Sequence, residues 1–128
     1  ELFGRRKTGG GWTWTTSLRV GYSNQVNFQV VGTNSSSTID TSNSSVSVGN
    51  WYHVVSIYER GGITRQYLNG VVSGGWSSFD AGNTDADLYV LIGRSFNGWS
   101  WNGYIDDFRI YNRAFSAAEI SALYNATK

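Results

Sequence analysis

The chain contains no cysteine, which excludes disulfide bonds and thiolate metal sites and leaves the redox compartment open. Charge is also scarce: charged residues make up 15% of the 128 residues, and the net charge of +1 creates no strong field that would attract nucleic acid or an anionic membrane. No apolar run approaches the roughly 18 to 20 residues that span a bilayer, and no signal peptide is recognisable. The sequence therefore predicts neither nucleic-acid binding nor membrane insertion.

Residues suited to acid–base catalysis are few. His53 is the one histidine, and its place between Tyr52 and Val54 in an apolar strand is far more typical of a core residue than of a general base. Glycosidases use two carboxylates that flank the scissile bond. Asp106 and Asp107 are the one adjacent acidic pair on a predicted strand, and neighbouring strand residues point to opposite faces, so these two carboxylates cannot flank one bond. We therefore predict that the chain is not an enzyme.

Aromatic residues and glycine are plentiful, at 16% and 16 residues respectively, which is typical of a β-sandwich with many tight turns. The length predicts one domain over residues 1–128, long enough to bury roughly two-thirds of its unfolded-chain surface.

Alternating apolar residues and turn chemistry predict most of the strands. Residues 17–22 and 25–31 are predicted to form a hairpin around Ser23 and Asn24, and Asn69 and Gly70 to close a second tight hairpin. The remaining predicted strands are residues 38–40 in a long polar connection, residues 51–58 in the middle of a sheet, residues 63–68, residues 71–72 and residues 88–92.

The C-terminal third is the best specified stretch. Two Asn-Gly pairs, at 97–98 and 102–103, suit positions of positive φ, and residues 104–111 are then predicted to form a strand with apolar residues on both faces. A helix follows, with Ser116 and Glu119 as a reciprocal capping box and Phe115 and Ile120 as a hydrophobic staple. One face of this short helix is expected to lie on a sheet.

Three stretches together resemble one family. Residues 103–124, which read GYIDDFRIYNRAFSAAEISALY, are similar to the closing signature of laminin-G-like jelly-roll domains of the concanavalin A-like lectin/glucanase superfamily. The runs WYHVV at 51–55 and YLNG at 67–70 agree in order and rough spacing. The resemblance covers about residues 51–124 and implies an all-β fold, an antiparallel two-sheet jelly-roll sandwich with one short C-terminal helix. It does not fix the function, because one fold hosts many functions.

The resembled domains carry further strands before the point where this chain begins, and residues 1–11 do not replace them. The chain also opens at Glu1 without Met, so we expect a mature or excised piece, N-terminally truncated relative to the family. Either the sandwich is shortened and has an exposed edge, or an upstream segment or a neighbouring copy supplies the missing strands. Because an uncovered sheet edge pairs readily with another chain, we expect self-association.

Sugars present flat C–H faces and many hydroxyls, so exposed aromatic rings and polar side chains suit their binding. The resemblance assigns Trp51 and Trp101 to the core. The resemblance assigns no structural role to the other four tryptophans. Two of them lie in loop-like Gly- and Ser-rich stretches. The other two alternate with threonines, either as a buried pair or as an exposed platform. The alternative is that all of them fill the sandwich and its loops. The candidate ligand-binding residues are Trp76, Trp99, Asn97, Asn102, Trp12 and Trp14.

A dense set of oxygen-bearing side chains lies in residues 79–87. Asp80, Asn83, Asp85 and Asp87 could supply several of the about six to eight oxygen ligands that calcium takes. Domains of the resembled family often carry calcium in a loop. The spacing is not that of a helix-loop-helix calcium loop, and the same residue types are common in ordinary turns. A calcium site and a simple turn therefore remain alternatives.

These observations predict a non-catalytic carbohydrate-binding or adhesion module of a larger extracellular or cell-surface protein, with a glycan or polysaccharide as its ligand. The alternative is a structural or protein–protein interaction module without a glycan ligand, whose aromatic side chains are all interior. The two differ in whether tryptophan side chains are accessible to solvent and respond to a glycan.

Overall fold

The computed structural model describes residues 2–7, 14–21, 23–31, 36–61, 64–76, 82, 88–94 and 98–128. These residues form eight strands and one helix. The elements are β1 (Phe3–Lys7), β2 (Trp14–Val20), β3 (Gln25–Val31), β4 (Ser36–Ser45), β5 (Val54–Tyr58), β6 (Thr64–Leu68), β7 (Val71–Trp76), β8 (Leu88–Ile92) and α1 (Ala117–Thr127).

The strands form two antiparallel sheets. The larger has the order β4-β3-β2-β1-β8, and the smaller has the order β5-β6-β7. Phe28 and Val30 of β3 are buried together, and Leu18 of β2 and Tyr58 of β5 pack against them, so the apolar face of the larger sheet meets the smaller sheet. The predicted all-β sandwich with one short C-terminal helix is confirmed.

The predicted hairpin of β2 and β3 is present. Its register pairs Leu18 with Phe28 and Val20 with Val26, which places the apolar alternate residues of both strands on one face. Asn24 adopts φ 56°, and its N–H donates to the Gly21 carbonyl at 3.1 Å. The turn is therefore closed by a short polar residue that tolerates the left-handed conformation.

The second predicted hairpin, β6 to β7, closes at Asn69 and Gly70, both of which have positive φ. The Asn69 side-chain oxygen accepts from the His53 N–H at 3.0 Å, and the Asn69 N–H donates to the His53 carbonyl at 2.8 Å. This reciprocal pair ties the turn to the chain just before β5.

Helix α1 begins as predicted. The Ser116 hydroxyl accepts from the Glu119 N–H, and the Glu119 carboxylate accepts from the Ser116 N–H at 2.8 Å, which completes the capping box. Ile120 is fully buried with Ile57 and Tyr67, and the staple residue Phe115 packs against the same cluster. The helix thus covers the face of the smaller sheet that points away from the larger one.

Four predictions about residues 51–58 and 71–76 are wrong. Strand β5 starts at Val54, not Trp51, and among the described strands it is at an edge of its sheet, because β6 is the central strand. Trp51, assigned to the core from the family resemblance, is 67% exposed. The stretch around Trp76 was expected to be a loop, but β7 continues to Trp76 because residues 71–76 pair with β6.

The predicted strand at residues 104–111 is also absent. Its apolar residues are exposed, and no backbone hydrogen bond joins it to a strand in the part of the chain that the structure describes. Asp107 has φ 50°, which interrupts the extended conformation, and its carboxylate binds Arg109 at 3.1 Å. Apolar alternation alone does not make a strand when no neighbour pairs with it.

Smaller differences concern β4 and the second Asn-Gly pair. Strand β4 runs over ten residues, not the three predicted. Gly98 has the expected positive φ, but Gly103 does not: a Cβ there would lie 2.9 Å from the Trp101 indole nitrogen, so close packing, not φ, favours glycine at 103.

The inner face of the smaller sheet carries polar side chains. Gln66 is fully buried, and within the described residues neither polar atom of its carboxamide has a hydrogen-bond partner. Ser56, opposite Gln66 in the register, is likewise unpaired there. Each such group costs about 1 to 3 kcal/mol. The apolar contact between the sheets is therefore concentrated around Tyr58.

None of the described helices is long and apolar enough to cross a membrane.

We expect Ile120→Ala to lower the free energy of unfolding by about 2 to 5 kcal/mol, because it leaves a cavity between α1 and the smaller sheet. Urea unfolding followed by circular dichroism measures the change. Val48→Ala is the matched control, because Val48 is 101% exposed and its truncation creates no cavity. Equal stability of the two variants would contradict the packing of the helix.

The helix cap should make stability depend on acid. The Glu119 carboxylate accepts from Arg113 at 2.7 Å and from the Ser116 backbone and hydroxyl, and these bonds lower the pKa of Glu119 from 4.5 to about 2. Because the folded-state pKa is depressed, the contribution is present above pH 4.5 and is lost as the pH falls through about 2.

We therefore expect the difference in unfolding free energy between wild type and Glu119→Gln to be constant above about pH 5 and to shrink towards pH 2. The pair is exposed, so added salt should reduce the difference. Glu59→Gln is the control, since no ion pair to exposed Glu59 occurs among the described residues. A difference that does not vary between pH 5 and pH 2 would rule out this role of the carboxylate.

Candidate functional site

Two connections meet at one end of the larger sheet. The Leu2 N–H donates to the Leu18 carbonyl, and the Gly93 N–H donates to the Leu2 carbonyl. The C-terminal ends of β2 and β8 therefore lie on either side of the start of β1. As a result, the turn between β2 and β3 and the loop that follows β8 lie at the same end of the sheet.

A cleft of about 580 Å³ opens at this end. Its volume falls within the roughly 300 to 1,000 Å³ range of small-molecule sites. Its described lining combines one aromatic ring, one guanidinium, two carboxamides, a hydroxyl, a valine and a glycine. The lining residues are Arg19, Val20, Gly21, Ser23, Gln25, Asn27 and Trp99.

The hairpin places the polar residues of the cleft. Arg19 lies opposite Asn27 in the register, and Gln25 is two residues before Asn27, so all three share the face opposite the Phe28 and Val30 core. The turn is held at the sheet by the Gly21 N–H, which donates to the Gln25 carbonyl at 2.8 Å. The cleft is thus built on paired strands and a hydrogen-bonded turn.

Gly21 is required by the position of Asn27. A Cβ at residue 21 would collide with the Asn27 side-chain oxygen, so only glycine lets this carboxamide lie against the backbone of the turn. Asn27 is 8% exposed, in contrast to the exposed Arg19. The cleft therefore has a nearly buried carboxamide beside a solvent-exposed cation.

Trp99 supplies the aromatic surface. Its loop is closed by a bridge between Arg94 and Ser100 and by the Trp101 N–H, which donates to the Gly93 carbonyl at 2.7 Å. Trp99 itself is 67% exposed, as predicted from the Gly- and Ser-rich sequence around it. An indole held by a closed loop at the edge of a polar cleft can stack on a flat ligand face.

One basic residue shares this face with the carboxamide. Asn27 lies opposite Arg19 of β2 in the register of the sheet. Among the described lining residues, Arg19 is the only charged one. Such a surface favours hydrogen bonding to a polar ligand over capture of a highly charged one.

The other predicted ligand-binding residues are not gathered with Trp99 in the described structure. Asn102 is exposed and is not among the described lining residues of the cleft. Trp14 belongs to β2 and Trp76 to β7, and the structure describes their backbone only. Trp12 and Asn97 lie outside the described residues, so their roles stay predictions.

The predicted calcium ligands also lie outside the described residues: Asp80, Asn83, Asp85 and Asp87. Within the described part of the chain, no cluster of three or more histidine or carboxylate side chains could hold a metal ion. The calcium prediction therefore stays a prediction.

The residues considered for catalysis have local structural contacts. Partial burial lowers the pKa of His53, and its ring lies 5.8 Å from that of Tyr124. One Asp106 oxygen accepts from the Asp107 N–H at 2.8 Å, and Asp107 binds Arg109. These contacts anchor the backbone of the C-terminal segment.

Sequence reasoning found Trp99 but missed the polar side of the cleft. Arg19, Gln25 and Asn27 are ordinary hairpin residues in sequence, and only the register of β2 and β3 and the position of the later loop bring them to Trp99. Their alternation with Val20 and Val26 was a usable signal, because it puts all three on the non-core face of the hairpin.

Comparison with known proteins places the chain in a family. A family model for laminin G-type domains, described as the concanavalin A-like lectin/glucanases superfamily, matches residues 2–121. The crystal structure of an S-layer domain-containing protein from Clostridium thermocellum is similar, with 27% identity and a TM-score of 0.52 over 92% of this chain and 59% of that one. This chain thus spans about three-fifths of the neighbour's length. No curated protein matches it. The match over nearly the whole chain agrees with the two antiparallel sheets, and the chain belongs to the concanavalin A-like lectin/glucanases superfamily.

Proposed function

We propose that this chain is a carbohydrate-binding module whose ligand lies in the Trp99 cleft. The observation that carries the proposal is an exposed indole beside side chains that donate and accept hydrogen bonds, in a cleft of about 580 Å³. Sugars match this arrangement, because one face of the ring presents C–H groups to an aromatic side chain while the hydroxyls reach polar groups at the rim.

Each lining group has a distinct role in this proposal. The Trp99 ring stacks on one sugar, and the Asn27 carboxamide, fixed against Gly21, both donates and accepts at the base of the cleft. Arg19 donates from the exposed rim, where its guanidinium stays in contact with water. Arg19 is the one charged residue among the described lining residues, so the cleft favours a neutral or weakly charged glycan.

We also propose that the module acts at the cell surface without catalysing a reaction. The structural neighbour is an S-layer domain-containing protein, and the superfamily includes lectins. The two aspartates considered as a catalytic pair are engaged by local contacts, and the His53 backbone N–H donates to Asn69. The parent protein would use the module to attach to a glycan or polysaccharide.

A glycan array of the purified chain, followed by fluorescence titration with each soluble oligosaccharide that binds, tests the proposal. We expect Trp99→Ala to weaken binding at least about tenfold, since it removes both the stacked area and the aromatic contact. Gly21→Ala should also weaken binding, because it displaces the Asn27 carboxamide.

Trp51→Ala is the matched control. Trp51 has the same 67% exposure as Trp99 but is not among the described lining residues of the cleft, so its removal should leave the affinity within about twofold. Absence of any glycan ligand, or equal losses for the two tryptophan variants, would refute the proposed site and favour a purely structural or protein-binding module.

Calcium binding by the acidic stretch is a separate proposal, supported by Asp80, Asn83, Asp85 and Asp87 within eight residues of sequence. If calcium binds the folded chain, a chelator should lower the melting temperature by roughly 5 to 10 °C at a hundredfold excess of calcium over its Kd. Readdition of calcium should restore it, and Asp85→Asn should weaken the response. An unchanged melting temperature would identify the stretch as an ordinary turn.

A further inference from the structure

Residues 103–112 leave apolar side chains in solvent that a β-sandwich would normally bury. Tyr104 is 85% exposed and Ile110 is 69% exposed, and Ile105, Phe108 and Tyr111 are exposed as well. In the described structure this segment lacks backbone hydrogen bonds to any strand. An exposed, unpaired apolar stretch of this length is a site for strand pairing with another chain.

The neighbouring strand β8 is uncovered in the same region. Val90 and Ile92 share a face of the larger sheet with Phe3, which is buried, yet both are about half exposed. Phe108 reaches this face, because its ring lies 5.3 Å from that of Phe3. Residues 103–112 therefore lie beside a part of the inner face of the larger sheet that the smaller sheet does not cover.

We propose that residues 103–112 pair antiparallel with the same residues of a second copy of this chain, about a two-fold axis at Phe108. In this register Asp107 of each copy lies opposite Arg109 of the other, and Ile105 lies opposite Tyr111. One face of the paired strands then carries an apolar pair, two ion pairs and a second apolar pair in a symmetric row.

The charges of Asp107 and Arg109 favour this register, and they favour a second copy of this chain as the partner. Shifting the axis by one residue towards the N-terminus sets Asp107 against itself, and shifting it by one towards the C-terminus sets Arg109 against itself. Like charges directly opposite one another destabilise a strand pair. The segment is therefore complementary to itself in one register and repels itself in its two neighbours.

Pairing requires a local change at Asp107. In the single chain Asp107 has φ 50° and its carboxylate binds Arg109 of the same chain at 3.1 Å. In the pair, Asp107 becomes extended, and the two intrachain ion pairs, one in each copy, are exchanged for two ion pairs between chains. Aspartate enters and leaves the left-handed region more easily than most residues, so the change is small.

Sedimentation velocity of the chain between about 5 and 200 µM tests the proposal, with a reversible dimer expected. Asp107→Arg alone and Arg109→Asp alone should each raise the dissociation constant by about tenfold or more, because like charges then face each other. An equimolar mixture of the two variants should dimerise again, because the two basic residues of one face the two acidic residues of the other.

The mixture separates pairing between chains from the ion pair within a chain, since neither variant regains that ion pair on mixing. Arg60→Asp, at an exposed turn position, carries the same charge change as Arg109→Asp and should dimerise like wild type. Circular dichroism and the melting temperature verify that each variant folds. A wild-type chain that stays monomeric throughout, a variant that dimerises unchanged, or a mixture that stays monomeric would each overturn the proposal.

Discussion

The inner face of the larger sheet is apolar and has to be covered by other parts of the chain. How well each part of this face is covered determines where the chain can bind another molecule. Over the β2–β3 hairpin the smaller sheet does so, with Tyr58 packed against Phe28 and Val30. Over β1 and β8 the cover is thinner: Phe108 contacts Phe3, while Val90 and Ile92 stay half exposed. A hairpin fixed by a core can support a binding cleft, and an uncovered apolar sheet face tends to bind another apolar surface.

The smaller sheet depends on the helix for its other side. Ile57 and Tyr67 face Ile120, so this sheet is apolar towards α1 and partly polar towards the larger sheet, where Gln66 is buried. The capping box and the staple fix where the helix starts and the angle at which it enters, which brings Ile120 onto the sheet. A short helix of ordinary propensity is therefore stabilised mainly by what it covers.

The sequence predicted the features that depend on neighbours along the chain. The Asn69-Gly70 turn, the β2–β3 hairpin and the helix start are each specified within a few residues by turn or capping chemistry. Features that depend on distant partners were missed. Trp51 and residues 104–111 look apolar enough to be buried, but burial requires an element to pack against them, which periodicity does not reveal.

The features of the candidate site also divide into those set by nearby residues and those set by distant ones. The exposure of Trp99 was predictable because the Asn97-Gly98 pair before it is typical of a turn. The polar neighbours of Trp99 were not predictable from the sequence. They depend on the register of two strands and on a loop that returns to the same end of the sheet about seventy residues later. Alternation predicted which face Arg19 and Asn27 occupy, whereas no local pattern places Trp99 next to them.

The cleft and the 103–112 segment lie on opposite faces of the larger sheet. Arg19, Gln25 and Asn27 share the face away from the core, while Phe108 lies on the core side next to Phe3. Two copies joined through residues 103–112 would therefore keep both clefts open. Single sugar sites of this size bind weakly, and two linked sites on one polysaccharide can raise avidity by about 10²- to 10⁴-fold without any new contact to the ligand. For the proposed glycan-binding module, pairing would thus serve attachment directly, because the gain applies only to ligands long or dense enough to reach both clefts.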